Sequence, residues 1–373
     1  MAKNKNRSIS EWFQLKPVLG NANWALFYCL LGGREVGKSY SVMDYFVSSF
    51  VNRGIPFTWL RLTEAAIRKL LCNNALDFID KDIRDRYGLD LQVIGNVIYS
   101  VKRQEKQIKK KDGTIEIKKE IVEKKIMARV YALSTFYNDK GSLFDANFLK
   151  DMKMQYHIAI DEFEREKGEK NTFNIVYALV NQLENMVRST KERIKIFLMG
   201  NTLEEASDIL CAFNFIPEKW GMFKLKSKRC VIYNIAPTEK YLARRKGTVA
   251  DLILPKASTF TNKINTDTAL IDKRPLIHAN YIIKFGKETE EWYTVWNNNI
   301  ICKYNGEKVK SVIAMKPFID EFYSVDNMKQ IINCFDVRGY RFRNLVTFKQ
   351  FQNELMFIRP AKKYRGDKIW DMV

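Results

Sequence analysis

A chain of 373 residues with 63 Lys and Arg against 43 Asp and Glu carries a net charge of +20, its two histidines counted neutral. A 46% hydrophobic and 13% aromatic composition excludes a disordered chain, and the length predicts two or three domains. No apolar run approaches the ~20 residues that span a bilayer, no signal-peptide core follows MAKNKNRSIS, and six scattered cysteines with no CxxC pair make a zinc site improbable. The cysteines are therefore read as reduced and the protein as intracellular.

The charge is concentrated. Residues 102–125 hold ten basic and five acidic residues, residues 224–246 eight and one, and residues 338–368 nine and two. The rest of the chain is nearly neutral. Patches of this kind suit a polyanion, although any one of them also reads as a solvated face.

Taken in chain order, the first predicted strand is the continuous apolar run 24–31, WALFYCLL. It leads into Gly32-Gly33-Arg34-Glu35-Val36-Gly37-Lys38-Ser39, a complete G-x-x-x-x-G-K-S phosphate-binding loop. Gly32 and Gly37 let the backbone curl so that N–H groups face phosphate. Lys38 neutralises phosphate charge, and the Ser39 hydroxyl suits Mg²⁺. A helix to about Phe50 aims its N-terminus at the same anion. ATP and Mg²⁺ are the expected cofactors.

Residues 99–127 read as a basic β-hairpin insertion turning at Lys111-Asp112-Gly113-Thr114. Lys109, Lys110 and Lys111 near the turn are candidate DNA-phosphate contacts. A solvated excursion is the competing reading.

His157-Ile158-Ala159-Ile160-Asp161-Glu162 is a short apolar strand ending in two acids. Asp161 would hold Mg²⁺ through water and Glu162 would polarise the attacking water. A second acid in this position marks the ATPase class with an extra strand between its nucleotide motifs. The 123 positions from Lys38 to Asp161 leave room for it. His157 reads as a packed strand-edge residue. An amphipathic helix over about Thr172–Arg188 follows, with Ile175, Leu179, Leu183 and Met186 on one face. The strand Lys195–Met199 then ends at Gly200-Asn201-Thr202. Asn201, or Thr202 after it, is the candidate γ-phosphate sensor; an ordinary turn is the alternative.

The loop GGREVGKSY, the strand IAIDEFERE and the segment MVRSTKERIKIFLMGN together resemble the genome-packaging ATPases of small podoviruses, distant shortened relatives of terminase large subunits. The match is best over residues 24–205. The resemblance implies a P-loop ATPase domain of the extra-strand (ASCE) class, working as a homo-oligomeric ring, a pentamer in that family, that drives double-stranded DNA into a preformed capsid. It matches Lys38 and Ser39 to phosphate and Mg²⁺ ligands, and Asp161 and Glu162 to the metal ligand and catalytic acid. Arg34 falls where packaging ATPases carry a basic loop residue. Arg188 falls where an arginine reaches the neighbouring subunit's site, with Lys191 and Arg193 as alternatives and Arg61 a lesser candidate for a contact across the ring. Lys140, in STFYNDKG, matches a pore-facing lysine that touches DNA. The implied setting is the host cytoplasm, transiently on the procapsid, with a packaging RNA and the capsid portal as partners.

The sequence predicts an ATPase domain over 1–238, a linker over 239–268 containing a helix Glu239–Lys246 capped by Thr238, and an α+β domain over 269–373. Strands are expected at His278–Phe285, Glu291–Trp296, Asn299–Tyr304 and Val309–Ala314, then helices near Asp326–Cys334 and Thr347–Phe357. Terminases carry an RNase-H-like nuclease here, which needs converging carboxylates. The first of these strands offers Lys284 instead, and Asp320 and Glu321 stand isolated, so the domain is read as a vestigial, inactive nuclease. Its basic tail interleaves aromatics with arginines, a pattern that suits RNA, though most of those Phe residues also suit a core. A terminase-like protein with active nuclease, a helicase-like nucleic-acid ATPase and a non-catalytic ATP-binding scaffold are the alternatives.

Overall fold

The computed structural model describes residues 12–109, 115–134, 156–163, 174–187, 194–201, 207–253, 269–316 and 324–358. The elements, in chain order, begin with α1 (Leu15–Asn21), β1 (Phe27–Leu31), α2 (Lys38–Arg53), β2 (Phe57–Arg61), α3 (Glu64–Leu71) and α4 (Lys81–Tyr87). Next come β3 (Leu91–Ile94), β4 (Val97–Lys109), β5 (Ile115–Ala132), β6 (Tyr156–Asp161), the helix Ile175–Val187, and β7 (Ile194–Gly200). The short helix Asp208–Ala212 precedes β8 (Gly221–Leu225), β9 (Cys230–Asn234) and the helices Glu239–Arg245 and Val249–Ile253. The last stretch holds β10 (Ala279–Lys284), β11 (Trp292–Trp296), β12 (Ile300–Lys303), β13 (Ser311–Ala314), the helix Val325–Asp336, β14 (Arg341–Phe342) and the helix Leu345–Ile358.

The chain divides into two compact units, residues 1–202 with 219–263, and residues 203–218 with 264–373. The first is built on a nine-stranded sheet in the order β3-β4-β5-β2-β6-β7-β1-β9-β8. Six neighbouring strands, β5 to β9 in that order, run parallel; β3, β4 and β8 pair antiparallel. The central strands are mainly apolar, and β6 and β7 are buried at every position, His157, Asp161 and Lys195 included. Tyr28, Phe46, Phe57, Trp59 and Phe197 fill the core beside α2.

The strand that separates β1 from β6 in space is β7, which follows β6 in the chain. The expected extra strand therefore does not come from the segment between Lys38 and Asp161. That segment supplies β2 to β5, all on the far side of β6. Nor is the 99–127 hairpin a separate insertion: β4 and β5 pair from Val97↔Arg129 to Lys109↔Ile115, and β5 then continues as a core strand beside β2. His157 lies in the middle of the sheet rather than at an edge, stacked on Phe46 at 5.1 Å. Burial pushes its imidazole down to about 3, so it is neutral.

The second unit has a five-stranded sheet, β13-β10-β11-β12-β14. β10, β11 and β12 are antiparallel neighbours and β13 lies parallel to β10. β10 to β13 and the helices Val325–Asp336 and Leu345–Ile358 fall within two residues of the expected bounds, whereas β14 and the helix Asp208–Ala212 had not been expected. Tyr340, Phe342, Phe348 and Phe351 are buried core residues, not a stacking surface. Lys284 is buried with its ammonium 3.7 Å from the centre of the Trp292 ring. The helix Asp208–Ala212 belongs to this unit and is bonded to it, Asn353 donating to Asp208 at 3.0 Å. Asp320, Glu321 and Tyr364 lie outside the described residues. All six cysteines are free, and among the described residues no helix is long and apolar enough to cross a membrane.

Candidate functional site

Parallel packing explains why residues distant in sequence meet. β1, β2, β6 and β7 all end at the same edge of the sheet, and each delivers its next residues there. β1 delivers the phosphate loop, β2 Arg61, β6 Asp161 and Glu162, and β7 Asn201. All of them line one cavity of about 1090 Å³. A crevice at the carboxyl ends of parallel strands is where open α/β sheets bind ligands.

Gly37 has a φ of +97°, which only glycine adopts without strain, and it opens α2. Lys38 is buried, and its Nζ donates to the carbonyls of Gly32 at 2.8 Å and Gly33 at 2.9 Å. Burial pushes this ammonium down to about 8, against the upward pull of the Asp161 and Glu162 carboxylates. The Ser39 hydroxyl donates to Asp161 Oδ1 at 2.9 Å across 122 positions of sequence. These two hard oxygen donors suit Mg²⁺, which takes one or two protein carboxylates and completes its shell with phosphates and water. Among the described residues no group of three or more His, Cys, Asp or Glu converges as a metal cage.

Arg61, a lesser candidate for a contact across the ring, reaches the chain's own acids here. It donates to Asp161 Oδ2 and to Glu162 Oε2, both at 2.8 Å. The signal was present, since FTWLRL is an apolar strand ending in a cation, but pairing of β2 beside β6 was needed to put that cation on these acids. Glu162 itself turns out of the strand at φ +54°.

A second missed group sits on the outer side of the loop. Thr238 caps the helix Glu239–Arg245 as expected, its side chain accepting from the Tyr241 N–H. This segment is no loose linker. Tyr241 and Arg245 are buried, Tyr241 Oη donates to the Arg34 carbonyl at 3.0 Å and Arg244 to the Glu35 carbonyl at 2.9 Å. Arg245 pairs with the Glu35 carboxylate at 3.0 Å, and the Arg244 guanidinium lies 3.7 Å from the centre of the Trp12 ring. Part of the 224–246 charge thus serves the loop rather than a polyanion.

In the hairpin, Lys102 and Lys125 both reach Glu123, Lys106 pairs with Glu120, and Arg103 with Asp90. Lys109 is the last residue of β4, while Lys110 and Lys111 lie outside the described residues. Lys140, Arg188, Lys191, Arg193 and Thr202 also lie outside them.

No family model matches the chain. Over 190 residues it is 22% identical to the DNA packaging proteins of Bacillus phage PZA and of Bacillus phage phi29, a match covering 51% of this chain and 46% of each relative. The matched part thus spans about half the length of these curated relatives. Among solved structures, a chain of the bacteriophage Phi-29 viral genome packaging motor assembly superposes with a TM-score of 0.61 at 18% identity, over 94% of this chain and 99% of that one. The Phi-28 DNA packaging motor gives 0.58 at 15% identity, with the same coverage. At these identities the likeness establishes the fold.

Proposed function

We propose that this chain is an ATP-hydrolysing motor subunit that drives double-stranded DNA into a preformed viral capsid. The observation that carries the reading is the Ser39–Asp161 hydrogen bond at the mouth of a complete phosphate loop, with Glu162 and Asn201 on the same cavity. The fold shared with packaging motors supports the choice of DNA as cargo.

In this reading Lys38 exchanges the Gly32 and Gly33 carbonyls for β- and γ-phosphate oxygens. The Ser39 hydroxyl and Asp161 hold Mg²⁺, which neutralises phosphate charge when bound. Glu162 accepts a hydrogen bond from the attacking water and aligns it. The Asn201 side chain senses the γ-phosphate. Arg61 holds both acids until phosphate oxygens compete for its guanidinium, which frees Glu162. Arg34 contacts phosphate from within the loop. Arg188 acts on the neighbouring subunit's site in a ring, for which a pentamer is the working stoichiometry, with Lys191 and Arg193 the next candidates. Lys140, Lys109, Lys110 and Lys111 contact the DNA backbone. The second unit works without nuclease chemistry, Lys284 standing where a metal-binding acid would be needed, and docks on a packaging RNA. The ring engages the portal of the procapsid in the host cytoplasm.

The test is ATPase activity with and without duplex DNA for wild type, Glu162→Gln, Arg188→Ala and a mixture of the two variants. DNA should stimulate the wild type, each variant alone should be inactive, and the mixture should recover activity. An active Glu162→Gln protein refutes the catalytic assignment; a mixture that stays inactive refutes action between subunits.

A further inference from the structure

The phosphate loop is held at three consecutive carbonyls. Tyr241 Oη donates to that of Arg34, the Arg244 guanidinium to that of Glu35, and the Phe13 N–H to that of Val36, at 3.0, 2.9 and 2.9 Å. In a trans peptide the carbonyl of one residue and the N–H of the next point in opposite directions. The three bonds therefore fix the peptide planes, so that the N–H groups of Glu35, Val36 and Gly37 face away from Tyr241, Arg244 and Phe13 and stay free for an anion. That is the geometry an anion-binding nest requires.

The same bend has two intrinsic costs. Glu35 adopts φ +62°, a left-handed conformation that L residues avoid. It also places a carboxylate on the loop that must receive a polyanion. Arg245 meets the second cost: its side chain is 9% exposed and its guanidinium lies 3.0 Å from the Glu35 carboxylate, which is itself 65% exposed.

We propose that Tyr241, Arg244 and Arg245 are positioning residues for the phosphate loop, and that Arg245 cancels the Glu35 charge so that the loop can accept a triphosphate. The helix Glu239–Arg245 is then part of the nucleotide site, although it touches only the outer side of the loop. The inference rests on the nucleotide reading of the cavity.

Binding of Mg·ATP by titration calorimetry, in a Glu162→Gln parent that does not turn over, tests it. Arg245→Ala should weaken binding by about two- to fivefold, because it leaves the largely exposed Glu35 carboxylate without its partner beside the incoming phosphates. Adding Glu35→Gln to Arg245→Ala should recover most of the loss, which a merely structural role for Arg245 would not allow. Tyr241→Phe should weaken binding by about three- to fivefold through loss of one hydrogen bond. Should Arg245→Ala fail to fold, Arg245→Gln takes its place: it should weaken binding to a similar extent, and adding Glu35→Gln should recover the loss. A parent that binds no Mg·ATP refutes the nucleotide site itself. A parent that binds, with Arg245→Ala equal to it or with Glu35→Gln giving no recovery, overturns this inference alone.

Discussion

Replacing Arg61 by Ala removes a guanidinium that bridges the two site acids. Its bonds to them differ in worth because their settings differ. Asp161 is 6% exposed and Arg61 19%, so that bond lies largely out of water, whereas Glu162 is 54% exposed. Breaking a buried pair by removing one partner costs about 3–5 kcal/mol. Asp161 keeps the Ser39 hydroxyl bond and the nearby Lys38 ammonium, which lowers the expected loss to about 2–3 kcal/mol. The exposed bond to Glu162 adds at most about 0.5 kcal/mol. At about 2–4 °C per kcal/mol for a unit of this size, the unfolding midpoint should fall by roughly 5–10 °C. Thermal unfolding of the nucleotide-free protein at neutral pH measures this, alongside Asp161→Ala and the double variant. The double variant should lose clearly less than the sum of the two single losses, since the second change finds the pair already broken. A midpoint for Arg61→Ala within about 1 °C of wild type, or strict additivity, would refute the argument that Arg61 acts through Asp161.

Lys38 gives a pH signature. Its folded value is about 8 against an ordinary 10.5, so between those values the unfolded chain binds more protons and stability rises with pH, by at most about 3 kcal/mol in all. Denaturant unfolding from pH 7.5 to 10 should show this gain in wild type and not in Lys38→Met; equal slopes would count against it. A methyl group added at Gly200 would lie 2.8 Å from the buried Phe163 ring, so Gly200→Ala should destabilise by about 1–3 kcal/mol and weaken Mg·ATP binding through the adjacent Asn201. Unchanged unfolding and binding would mean that Phe163 shifts freely. Converting Lys109, Lys110 and Lys111 to Glu should weaken DNA-stimulated ATPase activity and flatten its salt dependence, and an unchanged salt slope would remove the hairpin tip from the DNA surface.

The parts of the site legible in the sequence are those whose chemistry is local. The phosphate loop is a contiguous motif. β6 and β7 are apolar runs because they are buried on both faces, so Asp161, Glu162 and Asn201 are marked by the points where those runs stop. Arg61 and the Glu239–Arg245 helix were not legible in their roles, because each depends on which element lies beside which. A cation at a strand end reads the same whether it faces a neighbour, solvent or its own carboxylates. Likewise a basic cluster reads as a polyanion surface until Arg244 and Arg245 are seen on the loop's own carbonyl and carboxylate. β3 and β8 were missed for another reason: as short antiparallel strands beyond the parallel core, only partly buried, they carry no long apolar run.

β5 is one continuous strand of 18 residues, about 60 Å of extended backbone. Its outer part is an arm of the hairpin, and its inner part is registered residue for residue with β2, Phe57↔Ala128 through Arg61↔Ala132. A pull along this strand loads that ladder in shear, so its hydrogen bonds must yield together rather than one after another as in peeling. The hairpin is therefore an arm, bent at two irregularities near Ile98 and Lys102, that is anchored beside the strand whose last residue is Arg61. Force applied at its far end would reach the edge of the sheet that carries Arg61, Asp161 and Glu162.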